Sequence, residues 1–163
     1  ATGTVGGATR LVITGSGTMT AGVGQNLTIT AKDAGGNTVA AYTGSKNLTF
    51  SGAASSASPV TTPKVTDRVG TATAFGTATP INFTNGVATA SGSSNGVMIL
   101  FKAETALIAA TDGTITSTGA DRLSVVVSAA CVVRLGPATG SVSVAVGLGN
   151  AGIWHLLIVL LGM

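Results

Sequence analysis

The chain has 163 residues, which is enough for one packed core and some additional chain. Only 8% of the residues are charged, and the eight Lys and Arg residues behind the net charge of +3 are scattered, which argues against a nucleic-acid-binding surface. Threonine (26 residues) and glycine (24 residues) are abundant. Because threonine is β-branched and glycine suits turns, this composition predicts an all-β protein.

Short alternating segments recur along the chain with Gly, Asn or Asp between them, which is typical of a β-sandwich. The predicted strands are Arg10–Thr14, Gln25–Lys32, Asn47–Ser51, Ile81–Thr84, Gly86–Ser91, Val97–Ala103, Ala106–Thr111 and Arg122–Ser128. Between the third and fourth strands, Ala53–Pro63 (AASSASPVTTP) is predicted to be a surface loop.

Three turn signals connect these strands. In Asp33–Asn37 (DAGGN), the side chains of the first and last residues are expected to cap the turn. Asn85–Gly86 predicts a two-residue hairpin because both residues tolerate positive φ, and Asp112–Gly113 predicts another.

Alternation within the strands defines a candidate core. In the segment 27–31 (LTITA) the apolar residues fall on one face and the threonines on the other. We therefore expect these residues inside: Leu27, Ile29, Leu48, Phe50, Phe83 and Leu100, with help from Met98 and Leu123.

The beginning of the chain is echoed near its end. Arg10-Leu11 and Arg134-Leu135 both follow a linker of small residues and lead into Gly/Thr/Ser-rich chain. The offset of 124 residues is where a second copy of the module would begin. We interpret residues 8–128 as one repeat and residues 129–163 as a C-terminal extension, either the start of a second repeat or an apolar assembly segment.

Residues 8–128 resemble the bacterial immunoglobulin-like repeats of large surface proteins and adhesins, the invasin/intimin-like and filamin-like group. Four segments carry the resemblance: LTITAKDAGGN (27–37), YTGSKNLTFSG (42–52), INFTNGVAT (81–89) and DRLSVVVS (121–128). The resemblance implies an immunoglobulin-like antiparallel sandwich at the cell surface or outside the cell, serving as a spacer or display module without an active site. The last 30 or so residues depart from that pattern.

Residues that could carry catalysis or bind a cofactor lack the partners they would need. Gly147–Gly152 has the spacing GxGxxG, but the chain ends before the acidic residue that a dinucleotide site needs about 20 positions later. His155 is the only histidine, and Cys131 is the only cysteine, set among small apolar residues. The sequence therefore predicts no catalytic residue and no cofactor-binding residue.

Metal binding and glycosylation are weaker possibilities. Asp33 and Asp112 could approach calcium from loops, but the chain has no DxD or DxE pair, so we predict no metal site. Asn26, Asn47 and Asn82 begin formal N-glycosylation sequons, all within or beside predicted strands. The sequence leaves their modification open.

The apolar tail Ile153–Met163 is 11 residues long, shorter than the roughly 20 residues that a helix needs to span a bilayer. Left in water it would promote aggregation. We therefore expect it to be buried in its own chain or in a neighbour, for example by strand addition to a sheet edge.

These observations favour a non-catalytic structural module of an extracellular surface protein or filament, which self-associates or contacts neighbouring repeats. The alternative is an adhesin or carbohydrate-binding module that recognises a host or cell-surface glycan. Sugar recognition usually requires aromatic platforms, and Tyr42 and Trp154 are the only Tyr and Trp. An enzyme is the least supported reading because no catalytic constellation can be assembled.

Overall fold

A computed structural model describes residues 6–130 and the backbone of two further strands, 142–145 and 155–158. The strands are β1 (Arg10–Thr14), β2 (Thr18–Thr20), β3 (Gly24–Asn26), β4 (Thr28–Lys32), β5 (Gly44–Ser51), β6 (Lys64–Thr66), β7 (Ala72–Ala74), β8 (Ala78–Phe83), β9 (Val87–Thr89), β10 (Val97–Ile99), β11 (Thr105–Thr111), β12 (Leu123–Ser128), β13 (Val142–Ala145) and β14 (His155–Ile158). One 3-10 helix, Gly119–Asp121, precedes β12, and the described residues contain no α-helix. The all-β prediction is confirmed.

The strands of the sandwich form three sheets around one core. Their orders are β1-β4-β9, β2-β12-β11-β5-β8 and β3-β10-β6-β7. In immunoglobulin nomenclature, β1, β4 and β9 correspond to strands A, B and E, and β5, β11 and β12 correspond to strands C, F and G. With these labels, the first two sheets have the A-B-E and G-F-C orders of an immunoglobulin-like sandwich. A separate antiparallel pair joins β13 to β14, with Val142 opposite Ile158.

The ladders are antiparallel, as predicted, except for one pair. After β1 the chain crosses through Gly15–Gly17 to the other sheet, where β2 runs parallel to β12 with Thr18 opposite Val126. Val126 donates its N–H to the carbonyl of Gly17, and Ala21 donates to that of Ser128, both at 2.8 Å. The second strand of the sandwich, β2, therefore lies beside its last strand, β12.

The strand predicted over Gln25–Lys32 is divided at Leu27. β3 pairs with β10, whereas β4 pairs with β1 and β9. The N–H of Leu27 donates to the Gly96 carbonyl at 2.9 Å, and its own carbonyl accepts from Ala90 at 3.1 Å. Burial alternates without a break through both strands. The change of sheet therefore leaves no trace in the hydrophobic pattern.

Several strands differ from prediction at their ends or were missed. β5 begins at Gly44 rather than Asn47, β8 begins at Ala78 rather than Ile81, and β10 ends at Ile99. The three-residue strands β2, β6 and β7 were not predicted at all. They contain few large apolar side chains. β2 and β6 pair with the distant strands β12 and β10, and β7 pairs with β6 across the turn at 67–71. Local alternation reveals none of these pairings.

The predicted core is confirmed. The exposed fractions of its residues are Leu27 1%, Ile29 1%, Leu48 0%, Phe50 0%, Phe83 1% and Leu100 1%. Met98 is also buried, and Leu123 is half-buried against the cluster. Members of all three sheets of the sandwich contribute to this one cluster.

One of the two predicted hairpins and the predicted loop are confirmed, and the other hairpin is wrong in part. Asn85 and Gly86 have φ of 49° and 82° and form a two-residue hairpin, and Ala53–Pro63 contains no strand. At Asp112–Gly113 the chain turns, but only an isolated bridge from Thr111 to Thr116 follows in place of a second strand.

Candidate functional site

The chain enters and leaves the sandwich at opposite ends. Arg10, at the start of β1, lies opposite Lys32 at the end of β4, and its guanidinium is 3.4 Å from Asp121, just before β12. β12 runs away from this end and finishes at Ser128, beside the turn Ala21–Val23. We call the end that holds Arg10 and Asp121 the proximal end, and the end that holds Ser128 and the Ala21–Val23 turn the distal end.

Glu104 connects several segments at the distal end through hydrogen bonds and an ion pair. Its carboxylate accepts a hydrogen bond from the Ala54 N–H at 2.7 Å and lies 3.2 Å from Nζ of Lys102. Its backbone carbonyl accepts from Val127 at 2.8 Å. Val23, in the neighbouring turn, is 56% exposed. The charges of Glu104 and Lys102 are thus paired, and Val23 offers an apolar surface close to the point where the chain leaves.

Two depressions flank residues 6–7 at the proximal end. The first has a volume of about 330 Å³ and is lined by Gly6, Gly7, Thr38, Val39, Ala40 and Ala41. The second, of about 320 Å³, lies on the side of the Asp33 turn. The lining of the first is mostly apolar, so it suits an apolar side chain better than a charged ligand.

The segments 33–37 (DAGGN) and 67–71 (DRVGT) form two copies of one turn. In each, the carboxylate of the first residue accepts from the N–H of the fifth at 2.8 Å, and the N–H of the first donates to the carbonyl of the fifth at 3.0 and 2.9 Å. The glycine at the fourth position has positive φ, 86° and 96°. The predicted capping of the first turn is confirmed. Sequence reasoning missed the second turn, although the shared DxxG spacing could have found it.

Hydrogen bonds lower the pKa of the carboxyl groups in these turns. For Asp33 the side-chain amide of Asn37 has the largest effect, followed by the backbone N–H of the same residue. For Asp67 desolvation raises the pKa, but N–H donors of its own turn outweigh it, and the net pKa is lowered. Oδ1 of each aspartate therefore accepts hydrogen bonds from donors of its own turn, which favours the charged form of the carboxyl group.

Acidic conditions should consequently destabilise the domain. A carboxyl whose folded pKa lies below its unfolded value stabilises the fold above the unfolded pKa, near 4, and this contribution is lost as pH falls through the folded pKa. We expect urea denaturation midpoints to fall between pH 5 and pH 2 by more in the parent than in the variant Asp33→Asn. Equal pH dependence in both proteins would contradict a role for this carboxylate.

Asp112 closes a third turn and anchors Tyr42. Its Oδ1 accepts from the N–H groups of Thr114 and Ile115 at 2.9 and 2.8 Å, and its Oδ2 accepts from the Tyr42 hydroxyl at 2.6 Å. Burial, followed by this hydrogen bond, raises the pKa of Tyr42. The Tyr42 ring meets Phe83 edge-on at 4.9 Å, and Nζ of Lys46 lies 5.0 Å from its centroid. The ring is therefore engaged inside the protein instead of forming an open stacking platform.

Asn95 closes the free edge of β8. Its side-chain oxygen accepts from the N–H of Asn82 at 2.7 Å, and its side-chain nitrogen donates to the carbonyls of Asn82 and Thr89 at 3.0 and 3.1 Å. Arg68 donates its N–H to the Pro80 carbonyl on the same strand at 2.8 Å. The edge of the five-stranded sheet is thus capped, which limits its pairing with another chain.

Replacing Asn95 should loosen this edge. Asn95→Gly keeps the positive φ of 60° accessible but removes three hydrogen bonds, and we expect it to cost about 1–3 kcal/mol in unfolding free energy. Asn95→Ala should cost more, because alanine is strained at positive φ. Chemical denaturation of both variants measures the difference. If alanine were as stable as glycine at this position, backbone strain would play no part.

The structure does not bring the remaining candidate residues from the sequence together in one site. Asn26, Asn47 and Asn82 are exposed on β3, β5 and β8. Gly147–Gly152 and Cys131, like most of the tail, lie outside the described residues. In the part of the chain that is described, no three His, Cys, Asp or Glu residues are close enough to hold a metal ion. No helix among those residues is long and apolar enough to cross a membrane.

Comparisons with known proteins do not assign a family. No protein-family model, curated protein or solved structure matches the chain. The resemblance of residues 8–128 to bacterial immunoglobulin-like repeats therefore stays a prediction.

Proposed function

We propose that the chain is a non-catalytic structural module of an extracellular surface protein or filament, in which sandwiches follow one another end to end. The observation that carries this proposal is the position of the chain ends. Arg10 begins β1 at the proximal end, and Ser128 completes β12 at the distal end. A module with this polarity adds its full length to an array, whereas a module with adjacent ends would fold the array back on itself.

The acidic side chains all contact other groups of the protein, which agrees with a structural role. All five acidic residues of the chain lie in the described part and have partners: Asp33, Asp67 and Asp112 cap turns, Asp121 contacts Arg10, and Glu104 holds the distal end. In these contacts the acidic side chains contribute to the stability of the fold itself. The five acidic side chains therefore stabilise the fold, and this supports the proposal of a structural role.

Duplication of the repeat tests the end-to-end arrangement. The full chain with residues 7–130 duplicated in tandem contains two complete sandwiches, and the parent chain is its control. Small-angle X-ray scattering should give a maximum dimension larger by about one sandwich length, with the two sandwiches in line. A compact particle, in which the sandwiches lie side by side, would refute the spacer role.

We further propose that the C-terminal extension supports assembly or stability. The tail includes β14, which pairs with β13 of the same chain, so this part of the tail takes the strand form that sheet addition requires. Burial of each large apolar side chain contributes about 1.5–3 kcal/mol. Deletion of Ile153–Met163 should therefore abolish polymers seen by electron microscopy or lower the melting temperature. A truncated chain that assembles and melts like the parent would show that the tail is dispensable.

The glycan-binding alternative has less support. The outward positions of β5, β8, β11 and β12 carry neither a charge nor an aromatic ring; they are Ser45, Asn47, Thr49, Ser51, Ala78, Pro80, Asn82, Thr105, Leu107, Ala109, Thr111, Ser124, Val126 and Ser128. Sugars are usually held against aromatic rings, and Tyr42 is occupied by Phe83 and Lys46. Saturable binding to a glycan array would instead favour the glycan-binding function over the structural one.

A further inference from the structure

We infer that the C-terminal hairpin β13–β14 packs against the outer face of the five-stranded sheet of its own chain. The outer face is formed by the outward positions of β5, β8, β11 and β12, among them Leu107 and Val126. The inference rests on the proposed role of the C-terminal extension in assembly or stability, and it narrows that role to stability gained from a contact within the chain.

An exposed apolar pair lies on neighbouring strands of the outer face. Leu107 on β11 is 40% exposed, and Val126 on β12 is 49% exposed. Leu107 lies opposite Ser124, two positions from Val126, so the two apolar side chains are diagonal neighbours on one surface. The outward positions of β5, β8, β11 and β12 carry no charge. An apolar surface that packed on these four strands would therefore desolvate none of their charged groups.

Both edges of the five-stranded sheet are closed by hydrogen bonds, which favours packing on its face over addition of a strand at its edge. At the β8 edge, Asn95 caps the backbone as described above. At the β2 edge, the Ser16 hydroxyl accepts from the N–H of Thr18 at 3.3 Å and donates to the carbonyl of the same residue at 2.9 Å. The Thr20 carbonyl accepts from the N–H of Val23 at 3.1 Å. These contacts engage backbone groups that an added strand would require.

The register of the hairpin divides its residues into two faces of different character. Val142 lies opposite Ile158, and Val144 lies opposite Leu156. Residues that lie opposite each other share a face, as do residues two positions apart in one strand. These four positions therefore form one face, which is apolar throughout, whereas the other face includes a serine and the histidine. Because an isolated two-stranded sheet is at best marginally stable in water, the hairpin requires a surface against which its apolar face can pack.

The C-terminal extension leaves the sandwich from this same sheet. β12 ends at Ser128, which is itself an outward position, and β13 begins at Val142, so positions 129–141 join them. A chain of this length reaches at most about 46–50 Å, which exceeds the width of five strands spaced about 4.8 Å apart. A short tether raises the effective concentration of the hairpin at this face to roughly the millimolar range. In dilute solution this favours the outer face of the same chain over that of a second copy.

Cross-linking between two introduced cysteines tests the contact. In the full chain with Cys131→Ser, Leu107→Cys on the outer face is combined with Leu156→Cys on the apolar face of the hairpin. Sheets that pack face to face lie about 10 Å apart, farther than the Cα separation of a disulfide, so a short bismaleimide is the suitable reagent. The matched control combines Leu107→Cys with Leu157→Cys, because the next residue of the hairpin has almost the same tether length but lies on the opposite face.

We expect the pair at positions 107 and 156 to give an intramolecular product at least fivefold faster than the control pair, at a rate independent of protein concentration. Equal rates would overturn the inference, as would a product that forms only between two chains. Deletion of Ile153–Met163 separates this inference from the proposed role of the extension. If the truncated chain assembles and melts like the parent, both fail. If truncation is harmful but the two pairs react equally, the extension acts through another surface and only the contact with the outer face is refuted.

Discussion

Replacement of Gly52 by alanine should destabilise the domain by about 2–6 kcal/mol. Gly52 has φ of 101°, a backbone conformation that strains any L side chain. It also lies directly against the backbone of β11, where an added Cβ would collide with the carbonyl group of Leu107. The N–H of Leu107 donates to the Gly52 carbonyl at 3.2 Å, so the two segments cannot separate without losing that bond. Urea denaturation followed by circular dichroism measures the loss.

Substitutions at two other glycines separate the two causes of the instability expected for Gly52→Ala, which are backbone strain and collision with a neighbouring carbonyl. Gly113 has φ of 91° but no atom within 4 Å of an added Cβ, so Gly113→Ala should cost only the backbone strain, about 1–3 kcal/mol. Gly7 has neither a positive φ nor a neighbour, and Gly7→Ala should change stability little. If Gly52→Ala and Gly113→Ala were equally harmful, close approach of the backbone would not be the reason for glycine at position 52.

Truncation of Phe50 to alanine should cost about 3–5 kcal/mol. Phe50 is 0% exposed and belongs to β5, which pairs with both β8 and β11. Removal of its ring leaves a cavity that strands on either side hold open, because their hydrogen bonds resist collapse. Differential scanning calorimetry should therefore show a large drop in melting temperature with the sandwich still folded at low temperature.

Phe75 provides the matched control for this substitution. Its ring lies 5.9 Å from that of Phe50, but it is only half-buried at the rim of the core. Phe75→Ala should consequently cost clearly less than Phe50→Ala, since water can occupy the vacated space. A larger effect at position 75 would mean that the centre of the core lies elsewhere.

The fold was largely predictable because its core obeys a local rule. Leu27, Ile29, Leu48 and Phe50 alternate with polar residues, and each is buried as the alternation requires. Pairing partners were not predictable in the same way. The division at Leu27 preserves the alternation, so both sides of the break look like one strand. The short strand β2 is defined by its pairing with the distant β12 rather than by its own side chains.

The candidate site was less accessible to sequence reasoning. The turn at Asp33 was predicted because aspartate, glycine and asparagine each have a known local preference. The depression beside Gly6 and the exposed turn at Val23 arise from chain segments that are brought together only by the fold.

The parallel pairing of β2 with β12 has a mechanical consequence. If tension is applied to both ends of the module, β2 is pulled toward the proximal end and β12 toward the distal end, along the direction of the strands. The hydrogen bonds from Val126 to Gly17 and from Ala21 to Ser128 then lie across the direction of pulling and are loaded together. Shear of this kind must break the bonds simultaneously, whereas unzipping breaks them one at a time, so this pairing resists separation of the two chain ends.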